Sequence, residues 1–524
     1  MKKLHFLKVL RVVLAILFFS PILLFFVDFS GKLPCQLHVL AHLQLLPALL
    51  GGMYGLFLFW LVLTLVLGRA YCSVACPAGV LQDIVNRIFC IGKKKRKGVL
   101  RFRYHAPLNV FRYVLLAVVF GLAVFGVTEL CMWLDPYSNF GRIAANLFRP
   151  VVLEGNNLLA DGLHKTGNYS LYHIPVTSVT AVSLAAAGIA LVLFIVMVVF
   201  RGRYFCNTLC PVGALLSLVS RYSIFRIVFD KKACIQCRSC EYTCKAEAID
   251  PKAMKVDMSR CVSCFNCLSS CRKEALTYKP APLLSRARRF FIKKALPAAG
   301  QSPDSRRTFL ATGAAIASAL PLAVLKAQQR KAGKESGDIL SQPVTPPGSL
   351  NLTHFKDRCT ACHLCVTKCP SHVLRPAGLE YGFDYLLKPR MAYIDSYCNF
   401  ECVICSEICP THALRPLTVE EKKITQIGIA RFFIDLCIVH TEENDCGACS
   451  EHCPTQAVHM VPYKGTLTIP QVEPELCVGC GGCESICPVR PVRAILVEAN
   501  ETHLAAEKPE EEEALDINVD EFGF

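Results

Sequence analysis

The chain has 524 residues, 53% of them hydrophobic, with a mean hydropathy of +0.39 and a formal charge of +16. That length excludes a single core, and that hydropathy is high for a wholly soluble protein, so several domains with a membrane part are expected. The charge does not point to nucleic acid. Basic residues cluster beside apolar runs, as at Lys93-Lys94-Lys95-Arg96-Lys97, where the positive-inside rule puts them in cytoplasmic loops.

In chain order, a basic start (Lys2, Lys3, Lys8, Arg11) leads into an apolar run, Val9–Phe29. It is long enough to span a bilayer and lacks a cleavage site, so it reads as an uncleaved helix starting inside. Loop Ser30–Leu43 carries only Lys32 and is expected outside. Three more spans follow at Leu45–Leu67, Leu108–Leu130 and Val176–Phe200. Between them lie an inner basic segment, Arg69–Arg103, and an outer loop, Cys131–Ile174. Alternating loop charge makes residues 1–229 a self-consistent four-helix membrane domain.

An internal repeat marks the inner ends of spans two and four. Gly68-Arg69-x-Tyr71-Cys72-x3-Cys76-Pro77-x-Gly79 matches Gly202-Arg203-x-Phe205-Cys206-x3-Cys210-Pro211-x-Gly213. Two copies at equivalent depth suggest a two-fold related pair. Cys72, Cys76, Cys206 and Cys210 together supply the four thiols of an all-thiolate metal or cluster site; the plainer reading is reduced cysteines packing a helix end.

Of the 31 cysteines, 24 fall into six groups of four, too regular for a disulfide framework. Residues 230–280 carry Cys234, Cys237, Cys240, Cys244 and Cys261, Cys264, Cys267, Cys271, the bacterial ferredoxin spacing. In that pattern the fourth cysteine of each run serves the other cluster, so Cys271 joins the first three and Cys244 joins the second three. Lys245 and Arg272 stand where the pattern has proline. Zinc is the alternative, but two complete runs exceed its needs.

Residues 281–326 are basic, then apolar. Ser305-Arg306-Arg307-Thr308-Phe309-Leu310 followed by Ala311–Leu325 resembles a twin-arginine export signal, or else is a plain fifth span; either puts the remainder outside. A retained anchor is favoured over cleavage at Ala317-Ser318-Ala319. Residues 327–349 read as a linker.

Residues 350–500 hold four more runs: Cys359, Cys362, Cys365, Cys369; Cys398, Cys402, Cys405, Cys409; Cys437, Cys446, Cys449, Cys453; and Cys477, Cys480, Cys483, Cys487. Proline follows each last cysteine. Cys359-x2-Cys362-His363 also fits covalent haem attachment, but Cys365 and Cys369 complete the ferredoxin spacing. Residues 501–524 read as an acidic disordered tail. The fold class expected is multidomain: an α-helical membrane bundle plus α+β ferredoxin-like [4Fe–4S] modules.

On these motifs Met1–Tyr278 resembles the membrane ferredoxin NapH and the electron-transfer half of NosR, and Ser305–Val497 resembles NapG and MauM. The chain looks like a fusion of the two types. The resemblance implies an inner-membrane, multi-pass protein with one ferredoxin module in the cytoplasm and the other in the periplasm. It implies six [4Fe–4S] clusters, a seventh if the membrane site holds one, and export by the twin-arginine machinery. Electrons would pass from menaquinol in the membrane quinone pool, or from a cytoplasmic donor, to a periplasmic reductase or cytochrome. It further implies that the first of the four exported runs pairs with the fourth and the second with the third; spacing alone does not separate this from pairing of neighbours.

Nothing in the chain resembles a catalytic triad, phosphate loop or dinucleotide fingerprint, so no substrate site of its own is expected. The alternative reading, from NosR, is a redox-linked maturation factor for a periplasmic metalloenzyme. His38, His42 and Glu129, near outer helix ends, are candidate acceptors of quinol protons, and Cys35 could pair with Cys131 in a disulfide.

Overall fold

A computed structural model describes residues 2–29, 33–91, 102–125, 127–176, 179–280 and 342–507. The Arg-Arg segment, its apolar run, most of the linker and residues 508–524 lie outside the described residues.

Four helices form the frame: α1 (Lys2–Val27), α3 (Tyr54–Leu67), α6 (Asn109–Val124) and α10 (Ala181–Arg201). A 26-residue helix rises about 39 Å and a 14-residue one about 21 Å. Among the described residues only Phe6–Val27 and Ala181–Arg201 are long and apolar enough to cross a membrane; Tyr54–Leu67 and Asn109–Val124 are shorter. The expected span Leu45–Leu67 is broken into α2 (Leu45–Leu50) and α3, because Gly51-Gly52 turns the chain and Gly52 takes φ +77°. Likewise α6 ends at Val124, short of Leu130, and Glu129 opens a new helix, α7 (Glu129–Leu134).

The segment read as an outer loop is largely helical. Asp135 caps α8 (Pro136–Ile143), accepting from the Ser138 amide at 2.7 Å, with proline in the first turn. All eight residues of α8 are buried. It passes through a π-helical turn at Ala144–Phe148 into α9 (Arg149–His164). The aspartate–proline start was legible as a helix signal.

Two ferredoxin-like units sit at opposite ends of this frame. The first begins at Phe225, not 230, because β1 (Phe225–Phe229) pairs antiparallel with β4 (Leu276–Pro280). Between them lie β2 (Ile249–Asp250), β3 (Lys255–Val256) and short helices Ser239–Thr243 and Asn266–Ser270. The second unit is built on three antiparallel pairs: β5 (Leu374–Pro376) with β6 (Pro389–Met391), β7 (Thr425–Phe432) with β10 (Ile495–Ala505), and β8 (Val458–Pro462) with β9 (Thr468–Val472). Its bounds are wider than 350–500. Val344, Thr345 and Ser349 are buried in it, and β10 runs on to Ala505.

Each long helix joins the two units. On α1, Lys8 Nζ donates to Ser269 of the first unit at 3.3 Å, while Asp28 pairs with Lys368 of the second at 2.6 Å. On α10 the order is reversed: Val182 lies against Gly378 and Arg201 pairs with Glu247 at 2.8 Å. Arg112 on α6 contacts Ser259, and Thr128 just beyond that helix donates to the Lys356 carbonyl. The helices therefore alternate in direction. Their outer faces leave Val13, Ile16, Leu58, Phe120, Ile189 and Phe200 exposed.

Candidate iron–sulfur sites

In each cysteine run, three thiols come from one loop and a short helix, and the fourth arrives from elsewhere. In the first unit Cys240 neighbours Cys234 and Cys271, and Cys244 joins Cys261, Cys264 and Cys267 around an enclosed cavity walled by Ile227, Val262 and Phe265. This is the exchange of fourth ligands the spacing suggests.

In the second unit the expected pairing is overturned. Cys409 stands with Cys359, Cys362 and Cys365, and Cys369 stands with Cys398, Cys402 and Cys405. Cys487 lines one cavity with Cys437, Cys446 and Cys449, while Cys453 neighbours Cys477, Cys480 and Cys483. Runs adjacent in sequence exchange ligands, first with second and third with fourth. The reason is local: the short helices carrying Cys365 and Cys405 pack together, as do those carrying Cys449 and Cys483.

Cys72, Cys76, Cys206 and Cys210 form a seventh group, all buried. The repeat folds as matched helix pairs, α4 (Tyr71–Val74) with α5 (Pro77–Ile91), and α11 (Tyr204–Thr208) with α12 (Pro211–Ser220). Gly79 and Gly213 each lie so close to the carbonyl of the first cysteine in their own repeat that a Cβ would collide with it.

The donor set fits [4Fe–4S] clusters. Thiols gather in fours, and two of these groups line a cavity that the four sulfurs share with apolar side chains. Among the described residues no three Cys, His, Asp or Glu side chains converge on a point that would hold one ion.

The groups follow one another. Cys267 neighbours Cys240 across the first unit, and Cys365 neighbours Cys405. The Cys398 amide donates to the Cys480 carbonyl at 2.9 Å, and Cys483 neighbours Cys449. Between the helical group and the second unit stand Tyr71, within electrostatic reach of Cys76 and Asp135, and Asp135, within reach of Cys362.

Lys245, where proline was expected, is buried and pairs with Asp83 of α5 at 2.5 Å. Asp83 also takes Arg203 and Arg11, and these cations hold its carboxyl well below the usual range. A proline there would lose that ion pair, which ties the first unit to the helical domain.

His363 is fully occupied. Its Nε2–H donates to the Leu387 carbonyl at 2.8 Å, leaving Nδ1 to accept from Asn146 at 2.9 Å. It pins the first run to the helical domain and has no ring nitrogen for haem iron. His42 packs edge-on against His38 at 5.4 Å and lies 5.6 Å from His412 of the second unit. Burial and these two neighbours push its pKa down to about 4. Glu129 opens α7, within electrostatic reach of Lys388. Cys131 is a free thiol. The side chains of Cys35 and Cys90 lie outside the described residues.

Family models agree with the donor chemistry. A 4Fe–4S binding domain matches residues 49–98 and again 183–232, the two copies of the repeat. A 4Fe–4S dicluster domain matches residues 257–373, and a second such model matches 444–490. The chain thus carries several iron–sulfur ferredoxin domains.

Among curated proteins, it is 27% identical to the putative electron transport protein YccM of Escherichia coli, over 40% of this chain and 51% of YccM. It is 27% identical to the ferredoxin-type protein NapF of Escherichia coli, over 30% of this chain and 89% of NapF. It is also 27% identical to the methylamine utilization ferredoxin-type protein MauN of Paracoccus denitrificans, over 40% of this chain and 58% of MauN. The chain therefore spans about half the length of YccM and MauN. No solved structure matches it.

Proposed function

We propose that the protein is a membrane-embedded iron–sulfur electron relay, carrying electrons from menaquinol to an extracytoplasmic reductase. Electron transfer of the ferredoxin type is what the names of its relatives support. The observation that supports the reading is that four-cysteine groups lie in both ferredoxin units and in the helical domain between them, whose outer face is apolar. When bound, a [4Fe–4S] cluster supplies a one-electron centre whose potential depends on charge, hydrogen bonds and burial.

The chain's own residues do the rest. In the first unit Cys237 is exposed and lies beside exposed Ile235, a place where a redox partner can approach. Val262, Phe265 and Leu268 exclude water from the group behind it. In the helical domain the exposed apolar side chains suit lipid, and the two long helices suit the roughly 30 Å of a bilayer core. The shorter α3 is extended across the Gly51-Gly52 turn by α2. His38, edge-on to His42 at the junction with the second unit, offers a ring nitrogen to protons released on quinol oxidation. The likeness to NapH joined to NapG belongs to this reading, as do the periplasmic position of the second unit and twin-arginine export.

The test is anaerobic addition of a menaquinol analogue to membranes containing the protein, followed by the bleaching of iron–sulfur absorbance and by EPR. Reduction on mixing supports the relay. Failure to reduce clusters that dithionite does reduce removes quinol as donor. Iron near zero, with zinc in its place, removes the relay altogether.

A further inference from the structure

The four cysteines of the helical domain are set among buried cations that no carboxylate fully balances. Resting on the reading that this group takes a cluster, we infer that Arg69 is a positioning residue: its guanidinium clasps an anionic four-thiolate cluster between Cys72, Cys76, Cys206 and Cys210, and raises its reduction potential.

The geometry is a crossed pair. Arg69 of the first repeat donates from Nη2 to the Cys206 carbonyl of the second at 2.9 Å. Arg203 of the second repeat donates from Nη1 to the Cys72 carbonyl of the first at 2.5 Å. Each arginine thus locks the cysteine loop of the opposite repeat, and both are almost wholly buried. Arg69 Nη2 also stands 3.7 Å from Cys72 Sγ.

The pair is symmetric in shape but not in charge. Arg203 is met by Asp83, which Nε contacts at 2.9 Å. In the second repeat the position equivalent to Asp83 is Ser217. Arg69 instead uses Nη1 on the Asn207 side chain and the Ser259 carbonyl, at 2.8 and 3.0 Å, both neutral. Buried Arg112 reaches the same Ser259 carbonyl, so two guanidiniums share one neutral acceptor.

An uncompensated buried cation is strongly destabilising. A [4Fe–4S] core with four thiolates is a net anion, and it is the natural counter-charge where Arg69 Nη2 faces Cys72 Sγ, with Cys261 of the first unit also within electrostatic reach of the guanidinium. Because reduction adds a further negative charge, a fixed cation beside the group favours the reduced state.

The experiment uses the full-length protein extracted from membranes, with iron and sulfide counts and an EPR-monitored redox titration. Wild type is measured first: iron matching only six clusters overturns the cluster reading of this group and the inference with it. If the seventh is present, Arg69→Gln is expected to lose roughly four irons per chain, or to keep them with one midpoint moved to lower potential. Arg69→Lys, which keeps the charge, is expected to recover the wild-type midpoint. Unchanged iron and midpoints in Arg69→Gln overturn the inference while leaving the relay intact.

Should Arg69→Gln fail to accumulate, the stability of Cys72→Ser/Cys206→Ser protein decides. There Arg69 has lost the anion that faces its Nη2, so adding Arg69→Gln is expected to raise Tm. A fall in Tm would mean that the arginine acts through its hydrogen bonds alone, and overturns the inference.

Discussion

Asp28 and Lys368 form a nearly buried ion pair at 2.6 Å, 340 residues apart in sequence, joining the last turn of α1 to the residue before Cys369. Lys368 also lies 4.2 Å over the Phe25 ring. The other end of the same helix touches the first ferredoxin unit through Lys8. One helix thus sets the separation of the two units, about 30 Å for the 20 residues between these contacts. Removing one partner of a buried pair leaves the other charge unpaired, at about 3–5 kcal/mol. Asp28→Asn is therefore expected to loosen the second unit, seen as faster hydrogen exchange around residues 364–376 with the first unit unchanged. Equal exchange in both proteins would remove this contact as a determinant of docking.

Asp83 carries the corresponding role at the inner end. It accepts from Arg11, Arg203 and Lys245, and its pKa is depressed by them. Its stabilisation is fully present above the ordinary aspartate pKa of about 3.9 and is lost only as pH falls below it toward the lower folded value. Asp83→Asn strands three cations and is expected to cost about 3–5 kcal/mol at neutral pH. Lys245→Pro, which restores the usual ferredoxin residue, removes one cation and is expected to cost less. Thermal melts of the two variants, followed by cluster absorbance, check the order.

Much of this was legible in the sequence. Cysteine spacing encodes the three ligands that one loop supplies, and the repeated Gly-Arg-x-aromatic-Cys pattern located the helical group. The fourth ligands of the second unit were not legible, because they depend on which short helices pack together. The 135–164 helices were missed for another reason. Loop charge places the segment relative to the membrane but says nothing of its helices, whose signal is the Asp135-Pro136 cap. Lys245 looked like a flaw in a motif; its partner, Asp83, lies 162 residues earlier and only folding brings them together. His412 is not legible as a site residue because its neighbour His42 is on another domain.

That histidine group predicts a pH dependence. His42 is held neutral by burial and by His38 and His412, with His354 Nε2 on the His412 carbonyl behind them. Its pKa falls from 6.5 to about 4. A group with a lowered folded pKa, neutral inside, stabilises the junction above pH 6.5; that contribution drains away as pH drops from 6.5 toward 4. Hydrogen exchange at residues 39–50 and 410–415 should therefore accelerate over that window in wild type. His42→Gln should flatten the response, and an unchanged profile in that variant would assign the acid sensitivity elsewhere.

The pairing of the second unit makes the sharpest distinction. If Cys409 completes the group of Cys359, Cys362 and Cys365, then Cys409→Ser and Cys359→Ser should remove or alter the same EPR signal. Cys487→Ser should instead alter the signal shared with Cys446→Ser, since those two sulfurs line one cavity. The resemblance-based pairing predicts the reverse: Cys487→Ser would match Cys359→Ser, and Cys409→Ser would match Cys446→Ser. Serine can still ligate iron, so each site is also tested as alanine, where about one cluster's iron should be lost per variant. Matching difference spectra for Cys487→Ala and Cys359→Ala would refute the exchange between neighbouring runs. The order of groups along the second unit would then have to be redrawn, since the Cys365–Cys405 and Cys398–Cys480 approaches assume it.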